Sequence, residues 1–189
     1  MSGIIIAAIG ENPFHALGVM IKGAFYYKGA LGYTLFYTTN FIFTGLAVAV
    51  AFHALLFNIG GEGQAAMGGL AIGLVALLLD TSLPAYLVVL IAIGGAFLFG
   101  GIWGAIPGYL QAKRGIHIVI TTIMFNFIAA SIMVWLLAGM LIAPGQMSPE
   151  TRSFADDVSL AKIHTMAEYF GWKIANSPLN LSFVVALLC

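Results

Sequence analysis

Long hydrophobic stretches make up most of this chain, and charged residues fall mainly between them. A hydrocarbon core of about 30 Å needs about 20 apolar residues in helical form, and the stretches without Lys, Arg, Asp or Glu reach or approach that length. The pattern predicts four transmembrane helices, with a fifth beginning after Lys173. The four charge-free stretches are residues 29–61, 63–79, 81–112 and 115–149.

The two ends of the chain carry apolar stretches too short to cross a bilayer. Ile4 to Ile9 has no basic residues before it, so it resembles the tail of a helix more than a signal peptide. Pro178 to Cys189 begins another apolar segment. We expect residues 1–189 to be one membrane-spanning domain of a longer protein. Its predicted fold is an all-α polytopic transmembrane helix bundle, with about four complete spans and partial helices at both ends.

Composition agrees with a membrane protein and excludes several functions. Hydrophobic residues make up 61% of the 189 and charged residues 7%, against about 25% charged in soluble domains. Seven basic and seven acidic residues cancel, which leaves no basic field to bind nucleic acid. Cys189 is the single cysteine, so neither a disulfide framework nor a cysteine metal site is expected. We expect no cofactor, and lipid is the expected surrounding partner.

Orientation follows from the short connection Gln111 to Gly115, which carries Lys113 and Arg114. Basic residues near span ends favour the cytoplasmic side. Counting spans from this loop places residues 80–84 and 144–177 outside, and residues 60–64 toward the inner side.

The predicted extracytoplasmic loop, residues 144–177, is the longest polar stretch. Its apolar residues at Ile163, Met166, Tyr169 and Phe170 recur at helical spacing, which favours a short amphipathic surface helix. The loop is either a solvated connector or a docking surface for an extracytoplasmic partner.

Small residues recur every fourth position in two of the predicted spans. Such stripes let helices approach closely in lipid, where packing drives association. We expect both stripes to serve helix packing. Their members are Ala65, Gly69 and Gly73 in one span, and Ala96, Gly100, Gly104 and Gly108 in the next.

The run FNIGGEGQ at residues 57–64 interrupts two apolar spans with polar residues and glycines. Glycines weaken a helix and free backbone groups, which membrane depth tolerates only inside protein or beside a wet cavity. A charged residue at the bilayer centre is also costly, so Glu62 is interfacial, paired or in such a cavity. The run is therefore either a substrate pathway or an ordinary interfacial turn. Its candidate pathway residues are Asn58, Gly60, Gly61, Glu62, Gly63 and Gln64.

Thr122 and Asn126 lie four residues apart and share one face of a predicted span. Their side chains can hydrogen-bond a neighbouring helix or a polar solute. We include both among the candidate pathway residues. The sequence contains no GxxxxGK[ST] phosphate-binding loop and no nucleophile elbow or HExxH motif, which favours transport over an enzyme.

Two motifs in order give the chain a family resemblance. FNIGGEGQ is followed by a glycine-rich span and then by GGIWGAIPGYLQAKRGIHIVITTIMFNFIA at residues 100–129. This resembles the permease subunit of bacterial ABC importers of the ribose, nucleoside and branched-chain amino acid type, over roughly residues 25 to 150. The GEGQ form, WGAIPG and the MxNxIA pattern at Met124 to Ala129 are most similar to the nucleoside and simple-sugar branch.

The resemblance implies a bacterial inner-membrane location and a set of partners. In this family two permease subunits form the translocation path, two cytoplasmic ATPase subunits drive them, and an extracytoplasmic binding protein or lipoprotein delivers substrate. It also implies that residues 57–64 lie in the pathway, at membrane depth. The sequence does not rank nucleosides against pentoses.

The chain departs from the family in two places. Members of this branch often carry an Asn-Glu pair where this chain has His117 and Ile118. The segment that couples to the ATPase would follow the span beginning at Pro178. Two alternatives also stay open: an ion- or proton-coupled secondary transporter or channel using Glu62, and a structural membrane subunit, which would leave Glu62 unexplained.

Overall fold

The structure is a computed structural model that describes residues 2–155 and 157–189. Within these residues the regular structure is helical, with one isolated antiparallel bridge between Lys162 and Asn180. This confirms the predicted all-α class. The helices are α1 (Ser2–Ala8), α2 (Pro13–Phe25), α3 (Ala30–His53), α4 (Gly61–Leu79), α5 (Ala85–Arg114), α6 (Ile118–Trp135), α7 (Ile163–Tyr169) and α8 (Ser182–Leu188).

Four of the described helices are long and apolar enough to cross a membrane, as the charge-free stretches predict. They are α3, α4, α5, and α6 together with its π-helical continuation Leu136–Met140. The α5 helix has 30 residues and measures about 45 Å, which exceeds one straight crossing. Many of its large apolar side chains are exposed, among them Phe97. Such a surface suits lipid contact.

Local sequence explains several helix ends. The side chain of Asn12 caps α2 by accepting a hydrogen bond from the Phe14 amide at 2.9 Å, and Pro13 occupies the first turn. The α5 helix ends at Gly115, whose φ of 65° is left-handed and favours glycine. Residues 115–117 then form a very short connection to α6.

The chain divides into two compact units. One unit comprises the residues up to Phe43 together with Leu160–Cys189, and the other comprises Thr44–Ser159. In the second unit α4 packs against α5 and α6. Its buried core is formed by Met67, Leu70 and Ala129.

The two predicted packing stripes are placed differently. A Cβ at Gly68 would lie 3.4 Å from the Ala96 carbonyl oxygen of α5. A Cβ at Gly100 of α5 would lie 3.2 Å from the Gln64 carbonyl oxygen. Gly104 faces the Gln64 side chain. A Cβ at Gly69, Gly73 or Gly108 would meet nothing within 4 Å, and Ala65 is exposed.

The α4 stripe therefore does not contact another helix within the described residues. In the middle of α4 the glycine that meets the backbone of α5 is Gly68, one position before the expected Gly69. Helix packing through Ala65, Gly69 and Gly73 remains a prediction.

Candidate functional site

The chain leaves helical geometry between the end of α3 at His53 and the start of α4 at Gly61. Leu55 has a φ of 59° and is almost fully exposed. A positive φ is uncommon for a branched, bulky residue and indicates a sharp local turn. Residues 54–60 thus form an irregular link between two membrane helices.

Two side chains of α6 complete the hydrogen bonding of this link. The Ile59 amide donates to Thr122 Oγ1 at 3.3 Å, and the Gly63 amide donates to Asn126 Oδ1 at 2.9 Å. Asn126 Nδ2 in turn donates to the Ile59 carbonyl at 3.0 Å. Thr122 is 1% exposed. These bonds satisfy backbone groups that the broken helix leaves free.

Asn58 stabilises the same link locally. Its Oδ1 accepts a hydrogen bond from the Gly60 amide at 2.8 Å, a bond across two residues typical of an Asx turn. The first helical bond of α4 follows, from the Gln64 amide to the Gly60 carbonyl at 3.0 Å. The start of α4 is therefore fixed by one local and three long-range side-chain bonds.

Of the three glycines at the start of α4, Gly60, Gly61 and Gly63, two lie where a side chain would collide with α6. A Cβ at Gly60 would lie 3.1 Å from Thr122 Cβ, and one at Gly63 would lie 2.9 Å from Asn126 Oδ1. At Gly61 a Cβ would meet nothing within 4 Å. The close approach of α4 to α6 thus explains Gly60 and Gly63, whereas Gly61 has no steric requirement within the described chain.

A third helix, α5, meets the link through Gly104 and Trp103. A Cβ at Gly104 would lie 2.8 Å from the Gln64 side-chain nitrogen, so the missing side chain makes room for that amide. Trp103 packs edge-on against Phe125 at a centroid distance of 5.2 Å. Its indole nitrogen is buried and has no hydrogen-bond partner among the described residues. Sequence reasoning missed Trp103, because an isolated tryptophan in an apolar span carries no distinguishing signal.

The start of α4 lies well inside the span of its neighbours. At about 1.5 Å per residue, Asn126 is about 12 Å from the first residue of α6, and Gly104 is about 15 Å from the last residue of α5. Both helices end at the same short turn. The first turn of α4 thus lies about 12 to 15 Å along its neighbours rather than level with their ends.

Glu62 occupies the first turn of α4 and is exposed. A carboxylate there interacts favourably with the positive end of the helix dipole. Glu62 takes no part in the hydrogen bonds described above for the link. Among the described residues, no group of three His, Cys, Asp or Glu side chains could hold a metal ion.

Lys113 and Arg114 lie in the last turn of α5 and are exposed beside the turn to α6. Cations at a helix C-terminus are favoured by the helix dipole. This is the end of the bundle toward which the link between α3 and α4 lies.

The opposite end of α4 carries an ion pair that sequence reasoning missed. Arg152 donates from Nη1 to Asp80 Oδ2 at 2.7 Å and from Nη2 to Asp80 Oδ1 at 2.8 Å. Arg152 also donates to the Leu77 carbonyl at 2.9 Å. The side-chain hydrogen bond from Arg152 holds the pKa of Asp80 below its ordinary value, although burial opposes this.

Four helices long and apolar enough to cross a membrane define a multi-pass helical membrane protein. Residues 30–189 match the family described as branched-chain amino acid transport system, permease component, and the chain belongs to this family. It is a multi-pass protein of the bacterial plasma membrane. No solved structure matches the chain significantly.

Three curated relatives are ABC transporter permeases. The chain is 36% identical to the guanosine ABC transporter permease protein NupP of Bacillus subtilis over 94% of its length and 47% of that protein. It is 32% identical to the glucose ABC transporter permease protein TsgB13 of Haloferax volcanii, over 85% of the chain and 42% of that protein. It is 29% identical to the nucleoside ABC transporter permease protein NupB of Lactococcus lactis, over 100% of the chain and 51% of that protein. The chain spans about half the length of the curated relatives it matches.

Proposed function

We propose that this chain forms part of the translocation pathway of an ATP-driven importer. The observation that carries the proposal is the irregular segment at residues 54–60, which separates two apolar helices and is hydrogen-bonded by Thr122 and Asn126 of a third. We place this segment within the membrane, where irregular backbone is tolerated if it is buried in protein or lines a cavity. Membership of the permease family supports the same assignment.

The proposed substrate is a nucleoside or a simple sugar. The names of the relatives specify guanosine, nucleosides and glucose. All of these substrates present hydroxyl groups, and the amides of Asn58, Gln64 and Asn126 can both donate and accept hydrogen bonds. The proposed pathway residues are Asn58, Gly60, Gly61, Glu62, Gly63, Gln64, Thr122 and Asn126.

The proposed partners complete the pathway, supply energy and deliver substrate. A second permease subunit would complete the pathway, and cytoplasmic ATPase subunits would supply energy. An extracytoplasmic binding protein or lipoprotein would deliver substrate to the side of residues 144–177. The exposed end of the bundle at Lys113 and Arg114 would face the cytoplasm, in agreement with the rule for basic residues.

The decisive experiment measures uptake of radiolabelled guanosine, other nucleosides, pentoses and glucose by cells expressing the full-length gene with its neighbours. One arm carries an inactivated ATPase partner. We expect saturable uptake of one substrate class that is lost in that arm. Uptake that survives the inactive ATPase and collapses when the proton gradient is dissipated would instead establish the secondary transporter.

A further inference from the structure

The segment that follows residue 160 folds onto the beginning of the first membrane span. Its two ends are joined by backbone hydrogen bonds, from the Ile163 amide to the Leu179 carbonyl at 2.9 Å and from the Leu181 amide to the Ala161 carbonyl at 3.0 Å. His164 Nδ1 lies 3.1 Å from the Ser177 carbonyl oxygen. These contacts hold α7 and the strand-like residues 174–179 together.

Two glycines at the start of α3 receive this segment. A Cβ at Gly29 would lie 2.9 Å from the Asn176 carbonyl oxygen, and one at Gly32 would overlap the side chain of Ser177. The backbone of residues 176–177 therefore lies directly against the first turn of α3. The end of α2 meets the same region, since Thr34 Oγ1 donates to the Ala24 carbonyl at 2.9 Å.

This packing fixes the depth of α7 relative to the membrane. The first turn of a span marks the boundary between the hydrocarbon core and the headgroups. Because residues 174–179 contact the first turn of α3, α7 lies at that boundary rather than far out in solvent. Its helical spacing of apolar residues then points to a helix lying along the membrane surface.

The side chains exposed at this level are those of a membrane interface. Tyr169 is 89% exposed, Phe170 74% and Trp172 72%. Aromatic residues with amphipathic rings are enriched where spans meet the headgroups, and long basic side chains reach the same layer. The aromatic girdle, as we name it, consists of Tyr26, Tyr27, Tyr33, Tyr169, Phe170 and Trp172, with Lys28 and Lys173 exposed beside it.

An apolar groove of about 540 Å³ opens within the girdle. Its lining is almost wholly hydrocarbon and includes Met166, Phe170, Trp172, Leu181 and Val184. Leu181 immediately precedes α8 and Val184 lies in its first turn. Beyond Ser182, α8 is entirely apolar. The groove is thus continuous with a surface that itself suits lipid.

We infer that the aromatic girdle binds the phospholipid surface, with an acyl chain in the groove lined by Phe170 and Trp172. The segment from residue 163 to residue 174 is accordingly an interfacial anchor for the start of α3. A protein partner would require these rings to be covered by a complementary surface. Their position at the entry of a span favours lipid, since aromatic rings are enriched where spans meet the headgroups.

The fluorescence of Trp172 tests the inference. We would reconstitute the full-length protein, with Trp103, Trp135 and every other tryptophan except Trp172 replaced by Phe, into nanodiscs of phosphatidylcholine carrying bromine near the headgroup or deep in the acyl chain. We expect blue-shifted emission and loss of most Trp172 fluorescence with the shallow bromine, and weaker quenching with the deep one. Water-like emission without quenching by either lipid overturns the inference, as does protection of Trp172 only on addition of the extracytoplasmic binding protein.

A second measurement avoids the substitution of Trp103, which packs near the candidate pathway. A spin label is attached at Tyr169→Cys after replacement of the native cysteines, and its access to oxygen and to a water-soluble nickel chelate is compared. Met147→Cys serves as the control, because Met147 is fully exposed in a polar stretch. We expect the label at 169 to favour oxygen and the label at 147 to favour nickel. Equal nickel access at both positions would refute the lipid contact.

Discussion

Arg152 and Asp80 form a two-pronged ion pair that joins the segment after α6 to the turn after α4. Arg152 Nη1 donates to Asp80 Oδ2 at 2.7 Å and Nη2 donates to Asp80 Oδ1 at 2.8 Å, and the Asp80 side chain has no exposed surface. The Ala155 amide adds a third bond to Asp80 at 3.2 Å. The loop that begins after residue 140 is thereby tied to the end of the same helix whose start forms the candidate pathway.

Removing one partner of this pair is expected to loosen the loop. Arg152→Gln leaves the buried Asp80 carboxylate without its charged partner, which is more disruptive than losing an exposed ion pair. We expect faster proteolytic cleavage within residues 144–155 and a lower unfolding temperature. Arg114→Gln, an exposed residue at the other end of the bundle, serves as the control. Equal cleavage of both variants would show that the pair does not hold the loop.

Acidification should release the same loop over a defined pH range. Because the folded-state pKa of Asp80 lies below its ordinary value of 3.8, the pair contributes stability above that value and loses it as pH falls through the folded-state pKa. Proteolysis by an acid-active protease should therefore accelerate below about pH 3.8 in the wild type. In Asp80→Asn the loop should already be loose at neutral pH, without a further acid step. An identical acid step in both proteins would contradict the role of Asp80.

Gly61 and Gly63, both in the first turn of α4, provide a matched pair of substitutions. Gly63→Ala places a methyl group 2.9 Å from Asn126 Oδ1 and 3.0 Å from Trp103 Nε1, so α4 must move away from α6. Gly61→Ala adds the same group in open space and, within a helix, favours folding by roughly 0.5–1 kcal/mol. We expect Gly63→Ala to abolish uptake and Gly61→Ala to retain it. The reverse order would refute the close approach.

Asn126 should contribute more to folding than another polar residue on the same helix. Asn126→Ala removes the acceptor for the Gly63 amide and the donor to the exposed Ile59 carbonyl. Gly63 is buried, and leaving its amide unsatisfied costs about 1–3 kcal/mol. Ser131→Ala removes only an exposed bond to the Phe127 carbonyl of its own helix. Denaturation in detergent should show a clear loss for Asn126→Ala and a change within about 0.5 kcal/mol for Ser131→Ala. Similar values would place Asn126 outside the network.

The substitution Glu62→Gln distinguishes a role of Glu62 in the pathway from a structural role. Its side chain is exposed at the start of α4, so Glu62→Gln should leave membrane insertion and unfolding temperature unchanged. We expect a reduced rate of substrate uptake, because the charge is lost beside the proposed pathway. Glu150→Gln, also exposed but in the loop, is the control. Unchanged uptake in Glu62→Gln would make this residue part of an interfacial turn.

The spans were predictable because charge is scarce. Because only 7% of residues are charged, the long charge-free stretches locate the spans, and α4 ends one residue before Asp80 as the pattern indicates. The helical spacing at Ile163, Met166 and Tyr169 likewise corresponds to α7. The sequence predicted an interruption at residues 57–64, whereas the non-helical residues are 54–60 and Gly61 and Gly63 lie in the first turn of α4. The sequence also gave no indication that Gly61 is free of steric contact.

The remaining features depend on contacts between distant parts of the chain. Asp80 and Arg152 are separated by 72 positions, and nothing near either residue indicates the other. Small residues occupy many positions of α4, so the sequence did not distinguish Gly68 from Gly69 as the residue that contacts α5. Only the rotation of the helix in the bundle decides this, and it depends on α5 and α6 together.

The hydrogen bonds of the link also impose an order on biogenesis. Ile59 and Gly63 rely on Thr122 and Asn126, which follow them by 63 positions. While the ribosome is still making α5, those backbone groups lack their final acceptors and are poorly suited to lipid. The nascent α3 and α4 must therefore be sheltered by the insertion machinery or by water until α6 emerges. The membrane domain is then released into lipid as a set of helices rather than one span at a time.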